Sequence, residues 1–147
     1  MRSLSTFACA AVLGALAAGC SGGVKSPTGF RLPDGDAEAG RRAFVELGCA
    51  TCHTVSDVDL GIAPSGLPRP VVLGGEVLYT RTDGQLVTSI INPSHRIAPG
   101  YPREAVESGG RSRMRDYGDV LTARQLIDLV AFLHTRYKIV PPPVARS

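Results

Sequence analysis

Two cysteines and a histidine stand within five consecutive residues, Cys49-Ala50-Thr51-Cys52-His53. Two thiols at this spacing can each bond one vinyl group on the same edge of a porphyrin, and the histidine that follows is then held beneath the ring to ligate the iron. A structural zinc site needs about four ligands, and a thioredoxin-like site lies near a strand–helix–strand pattern; the sequence around the motif offers neither. The motif therefore predicts one covalent haem c, attached through Cys49 and Cys52, with His53 as the proximal iron ligand.

The residues just before the motif predict a short helix that would position it. Asp36 is a favourable N-cap, and Glu38 lies in the first turn, where the helix dipole favours a negative charge. Small and apolar residues follow at helical spacing, at Gly40, Ala43, Phe44 and Leu47. Gly48 is placed to end this helix, so the attachment motif begins directly after its last turn.

Two more helices are predicted downstream of the motif. The last helix begins after Thr122, which can form a capping box with Gln125. Its apolar residues recur at helical spacing, at Leu126, Val130, Leu133 and Tyr137. Another helix is predicted over Asp83–Ile91, with the same type of cap at its start, and Pro93 ends it. The 17 glycines and 11 prolines of the chain indicate that long loops connect these helices.

This arrangement resembles the class I cytochromes c over nearly all of residues 35–138. In that family, a glycine and an aromatic residue four positions later on the N-terminal helix meet a leucine and an aromatic residue on the C-terminal helix. Gly40 and Phe44 match the first pair, and Leu129 and Phe132 match the second. The resemblance implies an all-α, loop-rich cytochrome c fold, with about three to five short helices around one covalent haem. It also implies electron transfer rather than enzymatic catalysis.

The resemblance further implies a methionine as the second axial ligand. The chain has two methionines, and Met114 is the one that remains if Met1 leaves with a signal peptide. Met114 lies shortly before Thr122, as the distal methionine does in the family, and Arg115 stands where the family often has proline. His95 is the alternative ligand, and it would give the haem a lower potential than methionine.

The loop between His53 and the helix at Asp83 is rich in proline and glycine. The family places a proline here whose backbone carbonyl accepts the proton of the proximal imidazole. Such a hydrogen bond fixes the ring and raises its basicity. Pro70 is the predicted counterpart of this proline, and Pro64 is the alternative.

The first 19 residues are predicted to be a secretory signal peptide. Arg2 gives them a positive start, and the apolar run over residues 4–16 is too short to span a bilayer. The run ends in Leu16-Ala17-Ala18-Gly19-Cys20, which resembles the cleavage box of bacterial lipoproteins and implies that Cys20 is lipidated. Ser21 resembles an outer-membrane sorting signal. The alternative, cleavage after Ala17, would give a soluble periplasmic protein with an exposed thiol in an oxidising compartment.

The remaining sequence divides into three parts. Residues 20–34 contain the lipidated cysteine and a flexible tether, because glycine and proline interrupt any periodicity there. Residues 35–138 form the cytochrome c domain, and residues 139–147 form a proline-rich tail. Of the four cysteines, Cys9 would leave with the signal peptide, Cys20 would carry lipid and two would hold haem, so no disulfide is predicted.

The charge of the chain restricts its partners. The formal net charge of +3 is too small to indicate nucleic acid or an anionic membrane surface. Arg111, Arg113 and Arg115 alternate around Met114. They predict a basic rim that would steer the domain toward acidic sites on a redox donor or acceptor, such as a membrane oxidase or dehydrogenase. The alternatives are a solvated loop and an arginine that pairs with a haem propionate.

The expected function is that of a membrane-tethered monohaem cytochrome c, which carries single electrons between redox partners of the bacterial cell envelope and faces the periplasm. A second hypothesis is a fixed haem c subunit of a larger dehydrogenase, sulfur-oxidising or terminal-oxidase complex. A third is a gas-binding haem protein, which would require Met114 to be absent from the iron or easily displaced.

Overall fold

A computed structural model describes residues 30–79 and 81–140, so the predicted signal peptide, Cys20, most of the tether and the end of the tail lie outside the described residues. The described residues contain four α-helices: α1 (Ala37–Glu46), α2 (Asp83–Ile91), α3 (Arg103–Val106) and α4 (Ala123–His134). Short 3₁₀ turns cover Cys49–Thr51 and Pro93–His95. None of these helices is long and apolar enough to cross a bilayer.

Helices α1, α2 and α4 begin at the capping residues that the sequence predicts. The Asp36 carboxylate accepts hydrogen bonds from the backbone N–H groups of Glu38 and Ala39, at 2.8 and 3.0 Å. A complete capping box begins α2 at Thr82 and another begins α4 at Thr122. These side chains satisfy N–H groups that have no partner inside the helix, and the local sequence therefore sets where α1, α2 and α4 start.

Helices α1 and α4 cross closely, and this crossing frames the fold. A Cβ atom on Gly40 would collide with the backbone carbonyl of Asp128 and would lie 2.8 Å from the Cβ of Phe132. Beside this contact, the rings of Phe44 and Phe132 meet edge to face, with their centroids 5.8 Å apart. The α4 atoms nearest to this Cβ thus belong to Asp128 and Phe132. Leu129 is buried and lines the cavity described below, because consecutive helical residues point in directions about 100° apart.

Three pairs of very short strands tie the loops together. Strand β1 (His53–Val55) runs parallel to β2 (Val71–Leu73), and β3 (Gly75–Val77) runs parallel to β6 (Tyr137–Ile139). Strand β4 (Glu107–Ser108) is antiparallel to β5 (Arg111–Ser112). Tyr137 therefore lies in β6, and the prediction that it continues the last helix is wrong. Since each strand has only two or three residues, helices and loops still make up the domain.

The chain segment before α1 is held against the domain by Asp83, the first residue of α2. One carboxylate oxygen of Asp83 accepts a hydrogen bond from the backbone N–H of Leu32, at 3.0 Å, and the other lies 2.9 Å from Nε2 of His134. These two contacts, the Leu32 bond first, hold the pKa of Asp83 below its usual value. This segment is therefore attached to the domain at Leu32, which lies within residues 20–34, the predicted flexible tether.

We expect Asp83→Asn to lower the free energy of unfolding by about 1 kcal/mol near neutral pH, because the neutral amide is a weaker acceptor. A carboxyl whose pKa is lower in the folded protein stabilises it above its unfolded pKa, which is near 3.8. That stabilisation is lost as the pH falls through the folded pKa, so the two proteins should converge in strong acid. Urea unfolding at several pH values measures this, with Asp34→Asn as the control. A difference that persists unchanged in acid would contradict the prediction.

Candidate haem site

The attachment motif lies on a tight turn immediately after α1. Gly48 adopts a left-handed backbone conformation, with φ of 75°, and reverses the chain into the 3₁₀ turn that carries Cys49. Both Cys49 and Cys52 are free thiols and are partly buried. Burial raises the pKa of the Cys49 thiol. The Cys52 side chain lies beside Gly66.

His53 is held by the strand pairing that follows the turn. The register of β1 and β2 places His53 opposite Val71, and Nδ1 of the ring lies 3.2 Å from the Val71 carbonyl oxygen. Because a carbonyl can only accept, Nδ1 carries the proton and Nε2 keeps its lone pair for a metal. Burial lowers the pKa of His53, which keeps the imidazole neutral as a ligand must be.

The residue that accepts from His53 corrects a prediction. Pro70 and, as the alternative, Pro64 were predicted to offer the carbonyl, yet the structure places the carbonyl of Val71 there. The reason is the strand register: the Val71 N–H donates to the Cys52 carbonyl at 2.9 Å. This bond brings the carbonyl of the same residue to the imidazole. Pro70 is thus the residue just before Val71, and the carbonyl at His53 is that of Val71.

A single cavity joins the candidate ligands. About 380 Å³ of space, part of it open to solvent, lies between its walls, and these walls are almost entirely apolar. Its lining residues come from α1, the attachment turn, β1, β2, α2, the loop before α4 and α4 itself: Phe44, Leu47, Cys49, His53, Leu73, Ile90, Met114, Tyr117, Leu121, Leu129 and Leu133. An apolar pocket with a thiol, a neutral imidazole and a thioether on its walls has the chemistry of a haem c site.

Met114 reaches this cavity from a loop that is anchored before it. The N–H of Met114 donates to the Ser112 hydroxyl at 3.1 Å, and the N–H of Ser112 donates to the Ser94 hydroxyl at 3.2 Å. In contrast, His95 is exposed at the end of its 3₁₀ turn and does not line the cavity. Of the two distal ligands considered, the structure brings only Met114 together with His53.

Tyr117 is a cavity-lining residue that sequence reasoning missed. It is 6% exposed and lines the cavity three residues after Met114. Its hydroxyl donates to the Leu47 carbonyl at 3.1 Å and accepts a weak hydrogen bond from the Cys49 thiol at 3.8 Å. Burial raises the pKa of Tyr117 to about 12. The signal in the sequence that could have identified it is its type, since Tyr117 is an aromatic residue within the polar stretch that follows Met114.

A second tyrosine, Tyr101, connects strand β2 to the segment just before α3. Its hydroxyl accepts a hydrogen bond from the Val72 N–H at 3.0 Å. The guanidinium of Arg69 lies 5.2 Å from the centre of the Tyr101 ring. Val72 is the neighbour of Val71, so this bond supports the strand that orients His53.

The three arginines predicted to form a basic rim are all exposed. Arg111 lies in β5, directly before the loop that carries Met114. Arg113 donates through Nη1 to the Glu104 carbonyl at 3.0 Å. The guanidinium of Arg115 lies 5.6 Å from the centre of the Tyr117 ring. Their positive charges thus share one exposed stretch beside the cavity.

The residues present fit a covalent haem, and they fit a zinc site poorly. Within residues 30–79 and 81–140, no group of three or more His, Cys, Asp and Glu side chains could hold a metal ion by itself. Cys49 and Cys52 would hold haem c by thioether bonds, and His53 would ligate its iron. Haem c supplies an iron that accepts and releases one electron, and the apolar walls keep water away from it.

Comparison with known proteins agrees with this geometry. The profile of the Cytochrome c family matches residues 37–136, which run from the start of α1 to just past α4. No curated protein and no solved structure matches the chain. The match confirms the predicted helical, loop-rich fold and the covalent haem c, and it makes the chain a haem-binding electron-transfer protein with redox protein partners. The chain belongs to the cytochrome c family.

Proposed function

We propose that this protein is a monohaem electron carrier whose iron is held by His53 and Met114, and that it is tethered to a membrane of the bacterial cell envelope through lipid on Cys20. The observation that carries the proposal is that Cys49, His53 and Met114, from two separate segments of the chain, line one apolar cavity. His53 and Met114 would together hold the iron and leave it no position for a substrate, so the haem would serve only to accept and release an electron.

The character of the cavity supports a carrier rather than an enzyme. Among its lining residues, only Cys49, His53 and Tyr117 can exchange a proton. Cys49 is used for attachment, His53 for the iron, and the Tyr117 hydroxyl for its hydrogen bond to Leu47. Proton transfer to a substrate needs a positioned acid or base, and the described lining leaves no such group unassigned.

The tether defines where this carrier would work. Leu32 is attached to the domain through Asp83, so about 12 residues separate Cys20 from the folded part and could reach at most roughly 40 Å. The haem domain would then stay close to its membrane and face the periplasm. This would be the outer membrane if Ser21 acts as the sorting signal.

The optical spectrum of the reduced protein, with and without carbon monoxide, tests the carrier proposal. A low-spin spectrum that does not change with the gas is expected, because His53 and Met114 occupy both axial positions. Prompt conversion to a carbonmonoxy form would show an open or labile site, and the gas-binding hypothesis would replace the proposal.

The tether is tested by expressing the chain with radiolabelled fatty acid in a bacterium that processes lipoproteins and matures cytochromes. The wild-type protein should take up label and fractionate with membranes, whereas Cys20→Ala should be unlabelled and soluble while keeping its haem. Unlabelled wild-type protein would establish cleavage at another site. Gentle detergent extraction of the labelled protein separates a free carrier from a fixed subunit, which would co-purify with a larger complex.

The basic rim gives a prediction about partners. We expect Arg111→Glu combined with Arg113→Glu to slow electron exchange with an acidic redox partner by about tenfold or more at low ionic strength, because steering by charge is lost. The effect should shrink as salt is added. Arg42→Glu combined with Arg124→Glu, the same double reversal at exposed positions of α1 and α4, is the control. Stopped-flow rates that do not change at any ionic strength would remove the rim from the docking surface.

A further inference from the structure

The Tyr117 hydroxyl joins the two segments that hold the haem on its two sides. Tyr117 belongs to the loop of Met114, and its hydrogen-bond partner, the Leu47 carbonyl, stands two residues before Cys49. Leu47 caps α1, and carbonyls at the end of a helix lack partners within it. The tyrosine therefore satisfies a carbonyl that the helix leaves open, and it does so from the distal loop.

The loop around Met114 is fastened differently on its two sides. Before Met114, the hydroxyls of Ser112 and Ser94 and the Val106 carbonyl accept backbone hydrogen bonds from the loop. After Met114, the Tyr117 hydroxyl links residues 115–121 to the attachment side of the domain: it donates to the Leu47 carbonyl and accepts a weak hydrogen bond from the Cys49 thiol. The second bond would be lost once Cys49 forms its thioether, so the bond to Leu47 carries the link in the haem-bound protein. The rest of the bonds of this stretch are local, such as those from the N–H groups of Val120 and Leu121 to the Tyr117 carbonyl.

Burial strengthens this attachment. Tyr117 is almost fully buried against the cavity, where a hydrogen bond is not exchanged readily for one to water, and the loss of one partner leaves the other unsatisfied. Arg115 covers the ring from outside. Movement of Met114 away from the cavity therefore requires either that this bond break or that the loop hinge between residues 114 and 117.

We propose that Tyr117 is a positioning residue whose hydroxyl latches the Met114 loop to the haem-attachment turn and so slows the departure of Met114 from the iron. This inference rests on the proposed ligation by Met114. It assigns the role to the hydroxyl and not to the ring, which fills the cavity wall in either case. A phenylalanine at this position would keep the wall and release the latch.

The test is the rate at which excess imidazole displaces methionine from the oxidised holoprotein, followed by stopped-flow absorbance at saturating imidazole. We expect Tyr117→Phe to raise this rate by about three- to tenfold, the factor that corresponds to one buried hydrogen bond. Amide hydrogen exchange at residues 114–118 should quicken as well, which provides a readout that does not depend on electron transfer.

The matched control is Thr135→Val. It removes a hydroxyl that donates a 2.6 Å hydrogen bond to the Phe132 carbonyl near the end of α4, and Thr135 does not line the cavity. We expect this variant to lose thermal stability without a change in the displacement rate. If Tyr117→Phe behaves in the same way, Tyr117 is only structural and the latch is refuted.

Failure of the proposed ligation would look different. A wild-type protein that lacks the far-red band of methionine-ligated ferric haem would show that Met114 is not bound, and both proposals would fall together. A wild-type protein that has the band, with an unchanged rate in Tyr117→Phe, would leave the ligation intact and overturn the latch alone.

Discussion

Met114→Ala is expected to turn a reduced haem protein that ignores carbon monoxide into one that binds close to one equivalent per haem. The thioether of Met114 lines the cavity with His53, and alanine cannot reach the iron. The reduction potential should fall as well, because a thioether ligand favours ferrous iron relative to water or a more basic ligand. Carbon monoxide titration and spectroelectrochemistry of the purified variant measure both effects.

His95→Ala is the control for this experiment. His95 is exposed and does not line the cavity, so its removal should leave both the carbon monoxide response and the potential at wild-type values. The opposite pattern, in which His95→Ala binds the gas and Met114→Ala does not, would make His95 the distal ligand.

Gly40→Val is expected to lower the free energy of unfolding by about 3 kcal/mol or more, which is at the upper end of the cost of overpacking. A Cβ at residue 40 collides with the backbone carbonyl of Asp128, and backbone in the middle of a helix cannot move aside as a side-chain end can. Helices α1 and α4 would have to separate, and the Phe44–Phe132 contact would open with them. Denaturant unfolding of the holoprotein, followed by far-ultraviolet circular dichroism, gives the loss.

Gly100→Ala separates this close approach from the general effect of losing a glycine. Gly100 has φ of 79°, and a Cβ there would meet no atom within 4 Å, so its cost should be about 1–2 kcal/mol of backbone strain. If Gly40→Val were no more harmful than Gly100→Ala, the two helices would not depend on the small residue at their crossing.

The haem attachment motif could be recognised from the sequence because the residues that form it are neighbours along the chain. The thiols and the imidazole of the motif are adjacent along the chain, and no fold is needed to bring them together. The caps at Asp36, Thr82 and Thr122 bond to N–H groups two or three residues away. Helix starts are therefore also encoded within a few residues, and α2 has the bounds that were predicted.

The details that the sequence does not specify depend on the register between strands and on the direction in which helix residues point. The carbonyl at His53 belongs to Val71 and not to Pro70 because a parallel pairing between residues about 18 positions apart fixes which peptide faces the ring. The α4 atoms nearest to Gly40 belong to Asp128 and Phe132 because packing sets the rotation of α4 about its axis. A shift of one residue leaves the composition of a segment unchanged, so composition could not distinguish these choices.

The sequence by itself determined the haem and the helices that frame it, and it predicts His53 as the proximal ligand, since all of these follow from neighbours along the chain. Only the tertiary structure decided between Met114 and His95 as the residue that shares the cavity, and only it revealed the hydroxyl of Tyr117 at the Leu47 carbonyl. Both depend on segments some 60 to 70 residues apart meeting around one core. Such meetings result from the packing of the whole domain, which no local pattern records.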